Sequence, residues 1–323
     1  MKLYNEEIKR RFLELYDNPD TRRTIEYTLV KAYDIETVLG KDLYNFNIDE
    51  IAQVLYNSSP STFLVARSRA HFIENYISWA IENGYRDDNL NPLHGVDKSW
   101  FEQFIVKGIK KHFSEDELLE LVESFHNAQD QALVWLLFEG VMGKGTEELL
   151  NLNYNDVDWN SNKLTLRDGD EVRVLEVSDR CMRYIENAYK EQVYYIYDPE
   201  EGVHREYSLL NGEYIFRNTE SRNTKSVKLT KYNIHTRLRY LRDEHDLEIL
   251  TPNLIRQSGM IKMAHDLYLE RGKLEKEEFK LIGDRYNLSK IKANGYEYYN
   301  TTAMKQYVNS ENLKELYGLD VEI

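Results

Sequence analysis

The sequence predicts a mainly α-helical protein with a small β-sheet, divided into a helical domain over residues 1–95 and a larger α+β domain over 96–323. Three observations carry that prediction. Apolar residues recur at helical spacing through most of the chain. One run, Val157 to Val177, instead alternates about a tight Asp168-Gly169 turn. The polar stretch Arg86-Asp87-Asp88-Asn89-Leu90-Asn91-Pro92 separates two helical groups and reads as a connector.

The first group begins after Asn18-Pro19-Asp20, where Ile25, Val30 and Tyr33 stand among polar neighbours and predict one amphipathic helix from Thr21 to about Leu39. A shorter helix follows over Asp49 to Tyr56, then a turn at Asn57-Ser58-Ser59-Pro60. A long helix over Ser61 to Asn83 should bury Phe63, Leu64, Phe72, Ile73, Tyr76 and Trp79 and stop at Gly84. In the second group, Ser114 and Glu117 form a capping box ahead of an apolar run. Ala128 to Phe138 is apolar nearly all round, as expected of a helix at the centre of a core. Leu164, Leu166, Val172, Val174 and Val177 supply the strand pair. Helices are then predicted over Ser178 to about Tyr195, Lys231 to Asp243 and Pro252 to Glu270, with shorter pieces to the end.

Composition narrows the function classes. A single cysteine, Cys181, excludes an intrachain disulfide and a thiol-based zinc site. The N-terminal stretch lacks the apolar core of a signal peptide, and no run reaches the roughly 20 apolar residues of a membrane span. A cytoplasmic protein without a membrane partner is expected. The net charge is −14, yet eight Lys or Arg stand against one acid, Glu220, between Arg217 and Arg242. Such a basic island is either a solvated surface or a nucleic-acid contact face.

Motifs for common chemistries are missing. The eight histidines show no HExxH pair or other ligand spacing, so neither metal nor cofactor is expected. His265-Asp266 reads as an ordinary helix surface. Gly140 to Thr146 is glycine-rich, but Gly145 follows Lys144 where a phosphate loop needs Ser or Thr.

The informative string runs Gly143-Lys144-Gly145-Thr146-Glu147-Glu148-Leu149-Leu150-Asn151-Leu152-Asn153-Tyr154-Asn155-Asp156-Val157-Asp158. It resembles the first signature box of the tyrosine recombinases, or phage integrases, anchored on Glu148 and Asp156. Thr251-Pro252-Asn253-Leu254-Ile255-Arg256 resembles the second box, and Gly283-Asp284 best matches the Gly-His pair of the third. The helices before the connector resemble the family's core-binding domain, and Leu164 to Val177 its β-hairpin. The resemblance implies a two-domain recombinase fold gripping opposite faces of double-stranded DNA.

It also implies a damaged centre. In this family two arginines hold the scissile phosphate, a hairpin lysine protonates the leaving group, histidine-type residues assist and a tyrosine attacks. Here the first arginine position is Gly145, beside Lys144. The lysine position falls at Asp168, beside Arg167, the second-box histidine is Asn253, and the third-box histidine is Asp284. Arg256 alone is retained. The nucleophile's position lands near Ala293, with Tyr296, Tyr298 and Tyr299 beyond it, in a segment read as aromatic packing among the last helices. No catalytic set is therefore expected, since phosphorane charge needs fixed cations and Lys144 cannot replace a planar bidentate guanidinium.

By the same resemblance, DNA contacts are expected from Arg67, Arg69, Lys107, Lys110, Lys111, Lys144, Arg222, Lys225, Lys228, Arg237, Arg239 and Arg256. Within the superfamily the chain resembles the integrase-like master repressors of SPβ-type Bacillus phages. That implies a prophage-encoded transcriptional repressor that binds operators on the nucleoid and maintains lysogeny. Exchange of the segment Asn309 to Ile323 between copies would make a homo-oligomer. Two other readings stand beside it. An active, divergent recombinase would rebuild its centre from Lys144, Arg167 and a displaced tyrosine. A protein-interaction module without DNA binding would suit the −14 charge.

Overall fold

The computed structural model describes residues 2–322 except 61–62, 87, 106–109, 199–200, 222–223, 225 and 294–295, with backbone alone at 293 and 296. The chain forms two compact units, Met1–Ile109 and Lys110–Ile323. The boundary thus falls beyond the expected 95/96, because the chain after the connector still packs into the first core. Leu93 and Phe104, 4% and 2% exposed, belong to that core.

The first unit is helical: α1 (Glu6–Leu13), α2 (Pro19–Val30), α3 (Tyr33–Leu39), α4 (Ile48–Ser58), α5 (Phe63–Glu82) and α6 (Lys98–Glu102). The single helix expected over 21–39 is two. At the junction Lys31 N–H also bonds Thr28 O and Ala32 N–H bonds Leu29 O, both at 3.2 Å, tightening the chain into i−3 bonding that ends α2. Helix α5 turns Ala66, Ala70, Ile73, Tyr76, Ile77 and Ala80 inward. The expected stripe is rotated, so that Leu64 is exposed and Phe63, Phe72 and Trp79 lie at the core's edge. At the centre the fully buried Lys9 ammonium meets Glu36 Oε1 at 2.5 Å, Asp42 Oδ2 at 3.4 Å and the Tyr4 carbonyl at 2.8 Å. Tyr76 donates to the other Asp42 oxygen at 2.9 Å.

The second unit opens with α7 (Glu115–Glu123), whose Ser114/Glu117 capping box forms as predicted, and the central α8 (Ala128–Glu139), buried from Ala132 to Glu139. Next come α9 (Glu147–Asn151) and an antiparallel sheet of β1 (Val157–Asp158), β2 (Lys163–Asp168) and β3 (Glu171–Glu176). Leu164 opposes Leu175 and Leu166 opposes Arg173. This register sends Val172 and Val174, expected inside, to solvent. Helix α10 (Asp179–Lys190) ends earlier than predicted, and the tyrosine-rich chain beyond it becomes β4 (Val193–Asp198), paired with β5 (Val203–Ser208). Then follow α11 (Lys231–Glu244), α12 (Pro252–Arg271), α13 (Lys276–Arg285), a hairpin of β6 (Lys290–Ala293) and β7 (Tyr296–Tyr299), α14 (Thr301–Met304) and α15 (Ser310–Tyr317). The tyrosine cluster read as helical packing therefore lies on a strand. Helix α8 packs on α10 and α12 and carries the core of this unit. Among the described residues no helix is long and apolar enough to cross a membrane.

Candidate nucleic-acid interface and recombinase-type centre

Four pieces of the second unit build the centre: the Gly140–Thr146 turn after α8, the β2–β3 hairpin, the start of α12, and α13 with β7. The turn reaches a left-handed conformation at Gly145 (φ 59°), where an added Cβ would meet open space. An arginine there is opposed by backbone strain rather than by crowding. The neighbouring Lys144 N–H donates to Asp168 Oδ2 at 2.7 Å, so the hairpin carboxylate ties down the turn where the resemblance expects a lysine. Arg167, offered as a substitute cation, is ion-paired to Asp156.

The strongest feature is one that sequence reasoning missed. Arg173 on β3 grips the buried Glu148 with two parallel bonds, Nε to Oε1 at 2.6 Å and Nη2 to Oε2 at 2.8 Å. Its remaining donors reach the Gly140 carbonyl at 2.8 Å and the Arg285 carbonyl at 2.6 Å. Glu148 also accepts Met142 N–H at 2.9 Å. Bidentate guanidinium–carboxylate pairing is the strong, geometrically specific form of this contact. Every guanidinium nitrogen of Arg173 is engaged with the protein.

Thr251 caps α12, accepting Leu254 N–H at 3.3 Å, and Pro252 occupies the first turn. Arg256, one turn in, is half-buried and takes Asn253 Oδ1 at 3.2 Å. Among the described residues its Nε is buried without a hydrogen-bond partner, and burial pulls the guanidinium pKa down, opposed by Tyr307, Glu148 and Tyr286. A buried donor lacking a partner is costly and marks a group available to an anion. Tyr307 was not singled out from the sequence; burial raises its hydroxyl's pKa, while Arg256 opposes the shift.

On the last side, Asp284 accepts Lys280 Nζ and the Tyr299 hydroxyl, each at 2.7 Å. Those bonds hold the carboxyl's pKa below the usual range, whereas burial and Asp284 push the Tyr299 phenol up. The Tyr299 ring lies so close over Gly283 that a Cβ there would come within 2.6 Å of it. Tyr298 points outward on the same strand, 47% exposed. The Tyr296 side chain lies outside the described residues.

The expected DNA contacts separate into groups. Lys107, Arg222 and Lys225 lie outside the described residues. Arg67 is exposed on α5, whereas Arg69 is half-buried, bonded to the Ser58 carbonyl and 5.6 Å from the Tyr27 ring centre. Arg69 therefore holds α4 to α5 instead of facing solvent. Lys110 is exposed and paired with Glu117, and Lys111 is half-buried. Arg237 departs most from expectation. It is 6% exposed, bonded to Gln129 Oε1 at 3.0 Å and the Arg217 carbonyl at 2.9 Å, and 4.3 Å from the Tyr194 ring centre. Arg217, 2% exposed, is likewise internal, so the basic island is weaker at the surface than in the sequence.

Three predicted cations lie on neighbouring elements. The turn bearing exposed Lys144 packs against α11, which carries exposed Arg239, and Lys228 reaches Asn151 on α9 beside that turn. Exposed Lys231 adds to this face. Elsewhere, His126, His204 and Glu244 bring metal-ligand atoms within 4.8 Å of one another. Local spacing in the sequence gave no sign of them, because each sits on a different element.

A helical unit followed by an α+β unit whose first-box turn, hairpin and second-box helix surround one centre defines the tyrosine recombinase class. The chain belongs to the MrpR family: residues 3–82 match its N-terminal core-binding domain and 112–318 its C-terminal catalytic domain. The SPbeta prophage-derived uncharacterized protein YopR of Bacillus subtilis strain 168 is 28% identical over 322 residues, 98% of this chain and 97% of that one. Among solved structures, a lambda integrase dimer bound to a COC' core site superposes with TM-score 0.56 at 13% identity, over 98% of this chain and 80% of that one. The Tn1549 transposon integrase in complex with circular intermediate DNA gives 0.51 at 10% identity, over 97% and 99%. These likenesses concern the fold.

Proposed function

We propose that this protein is a sequence-specific DNA-binding transcriptional repressor on an integrase fold that no longer cleaves DNA, encoded by a prophage and maintaining lysogeny. The observation that carries this reading is the state of the centre's charges. Arg173 is consumed by Glu148, Arg167 by Asp156, and the positions of two family cations hold Asp168 and Asp284. Transition-state charge on a phosphorane must be met by prearranged donors, and here Arg256 is the retained one. A nucleophilic tyrosine needs its proton removed, yet Tyr299 is held by a carboxylate that disfavours its phenolate.

DNA binding is supported by the integrases of like fold, which are described bound to DNA, and by Lys144 and Arg239, exposed on neighbouring elements, with the half-buried Lys228 reaching α9 beside them. Such cations position a duplex, while base-edge contacts specify its sequence. Operators place the protein in the cytoplasm, on the nucleoid. Oligomerisation through residues 309–323 would exchange contacts made within the chain, since Leu313 and Val321 are buried and α15 packs on α12. Light scattering with and without DNA measures that exchange.

Mobility shifts across promoter fragments at physiological salt test the central claim. Selective retention of a few fragments is expected, and uniform binding no tighter than to random duplex refutes it. Suicide substrates run on denaturing gels should give no covalent adduct. An adduct would restore the recombinase reading.

A further inference from the structure

Away from the recombinase-type centre, the second unit assembles three ligand-type side chains from separate elements. His126 lies in the turn between α7 and α8, His204 on β5, and Glu244 at the last position of α11. His204 Nε2 stands 2.7 Å from Glu244 Oε1, and His126 Nδ1 stands 3.5 Å from the same oxygen. The two imidazoles face each other with ring centres 3.8 Å apart and planes 35° from parallel. Among the described residues no Lys or Arg pairs with Glu244; its carboxylate faces these two rings and, next in the chain, the His245 imidazole.

We propose that His126, His204 and Glu244 form a binding site for one divalent transition-metal ion of the zinc type. Tetrahedral zinc, with bonds of about 2.0–2.1 Å, sets neighbouring donors roughly 3.3 Å apart, so the three atoms need only small rotations to close on an ion. Two imidazoles and a carboxylate suit zinc, nickel, cobalt or copper, whereas magnesium and calcium prefer oxygen ligands. The His126 side chain is 53% exposed, which leaves an entry path and room for water to complete the coordination. The role is architectural. An ion here ties the turn before α8 and the outer strand of the β4–β5 hairpin to the end of α11. Strand β5 is otherwise exposed, with His204 its half-buried residue. The site thus braces the helix that carries Arg239, far from any strand chemistry.

The test uses the full-length protein stripped with a chelator. Zinc is titrated against a chromophoric competitor, cobalt absorption reports the ligand field, and thermal unfolding is followed with and without zinc. One equivalent of zinc, a cobalt spectrum that zinc displaces, a higher Tm and no competition from millimolar magnesium are expected. His126→Ala and Glu244→Gln should each weaken zinc binding by at least about 10–100-fold, the range seen for even outer-shell changes at metal sites. His235→Ala, on the exposed face of α11, should leave it unchanged. His126 lies in an exposed turn, so its variant reports binding even if His204→Ala loosens the hairpin. Absence of stoichiometric zinc binding, or binding that survives the His126→Ala/His204→Ala double substitution, overturns the proposal and leaves a plain His–Glu hydrogen bond.

Discussion

Each unit of this protein holds a cation against buried carboxylate charge, Lys9 on Glu36 and Asp42 in one and Arg173 on Glu148 in the other, and the two networks differ in what they displace. In the first unit Lys9 joins α1 to Glu36 on α3 and to Asp42; Leu43 N–H donates to the same Glu36 oxygen and Tyr76 to Asp42, while Glu36 Oε2 has no hydrogen-bond partner among the described residues. In the second, Arg173 and Glu148 hold the first-box turn, the hairpin and the end of α13 together. There the pair stands beside the first-box turn, where the family resemblance expects a guanidinium for the phosphate. On the proposed function, the same device that fastens one core takes a guanidinium out of phosphate chemistry in the other. Burying an ion pair costs desolvation that geometry must repay, and both networks repay it with several fixed bonds per charge.

The largest expected effects strike both networks alike. Lys9→Ala and Arg173→Ala each strand buried carboxylates, which should cost about 3–5 kcal/mol, read as lowered Tm and denaturant midpoint. Arg173→Met with Glu148→Gln should recover much of the loss, because removing both charges is far milder than removing one. If Arg173→Ala folded normally yet lost DNA affinity, Arg173 would be a phosphate ligand and the comparison would fail.

A second contrast lies within α11, two residues apart. Arg237→Ala should destabilise the second unit, since Arg237 is buried on Gln129, the Arg217 carbonyl and the Tyr194 ring. Arg239→Glu, Lys228→Glu and Lys144→Glu should leave Tm nearly unchanged. Each should weaken binding to specific and random duplexes together and lower the salt slope by about 0.9 per lost phosphate contact. Arg256→Ala should act in the same direction but less. Anisotropy titrations over a salt series separate these outcomes. An Arg239→Glu variant that keeps full affinity would remove α11 from the interface.

The signature boxes, the α7 capping box, the apolar α8 and the β2–β3 turn were all legible in the sequence, because each is a local pattern. What escaped was set by faces and partners. In β3 both alternations are available, and the register Leu166↔Arg173 puts the arginine rather than the valines inward. Arg237 shares a stripe with Ile234, Leu238 and Leu241, the i, i+3, i+4, i+7 spacing of a buried face. That signal is readable, but Arg237 belongs to a run of eight cations whose charge argues for a surface. Strand β4 hid because Tyr194 and its neighbours continue the apolar pattern of α10; the helix ends where Glu191 turns extended, its carboxylate held by Ala128 and Gln129 N–H, and the chain beyond pairs with β5. The His126–His204–Glu244 cluster left no local trace at all.

The tyrosines sharpen the assignment of an inactive centre with a smaller effect. Tyr299→Phe removes one hydrogen bond to Asp284 and should cost about 1 kcal/mol. Tyr298→Phe, on an exposed ring, should cost nothing measurable. Neither should change operator affinity or repression in a promoter-reporter assay. Repression that collapsed with either hydroxyl would mean that a tyrosine is used chemically.

The mildest prediction sets the two units side by side through pH. Burial pushes the Glu36 carboxyl up in the first unit, with Lys9 opposing it. In the second unit burial pushes Glu191 from 4.5 to about 7, although it accepts Ala128 N–H at 2.7 Å and Gln129 N–H at 2.9 Å at the start of α8. Asp130 on the same helix is raised by burial too. A carboxyl whose pKa is higher folded than unfolded binds its proton more tightly when folded. Its contribution to stability is therefore complete below pH 4.5 and is lost as pH climbs through about 7. Thermal unfolding should shift down between pH 5 and pH 8, at about 2–4 °C per kcal/mol for a unit of this size. Glu191→Gln keeps an acceptor for the helix start but cannot ionise, so it should flatten that slope. Glu36 is likewise pushed to about 7 even against Lys9, and Glu191 is raised against its backbone hydrogen bonds, Arg237 and Arg217, so both units should contribute to the change. A Tm that instead rises over this range would show that α8's N–H groups hold the carboxylate more firmly than its burial opposes it.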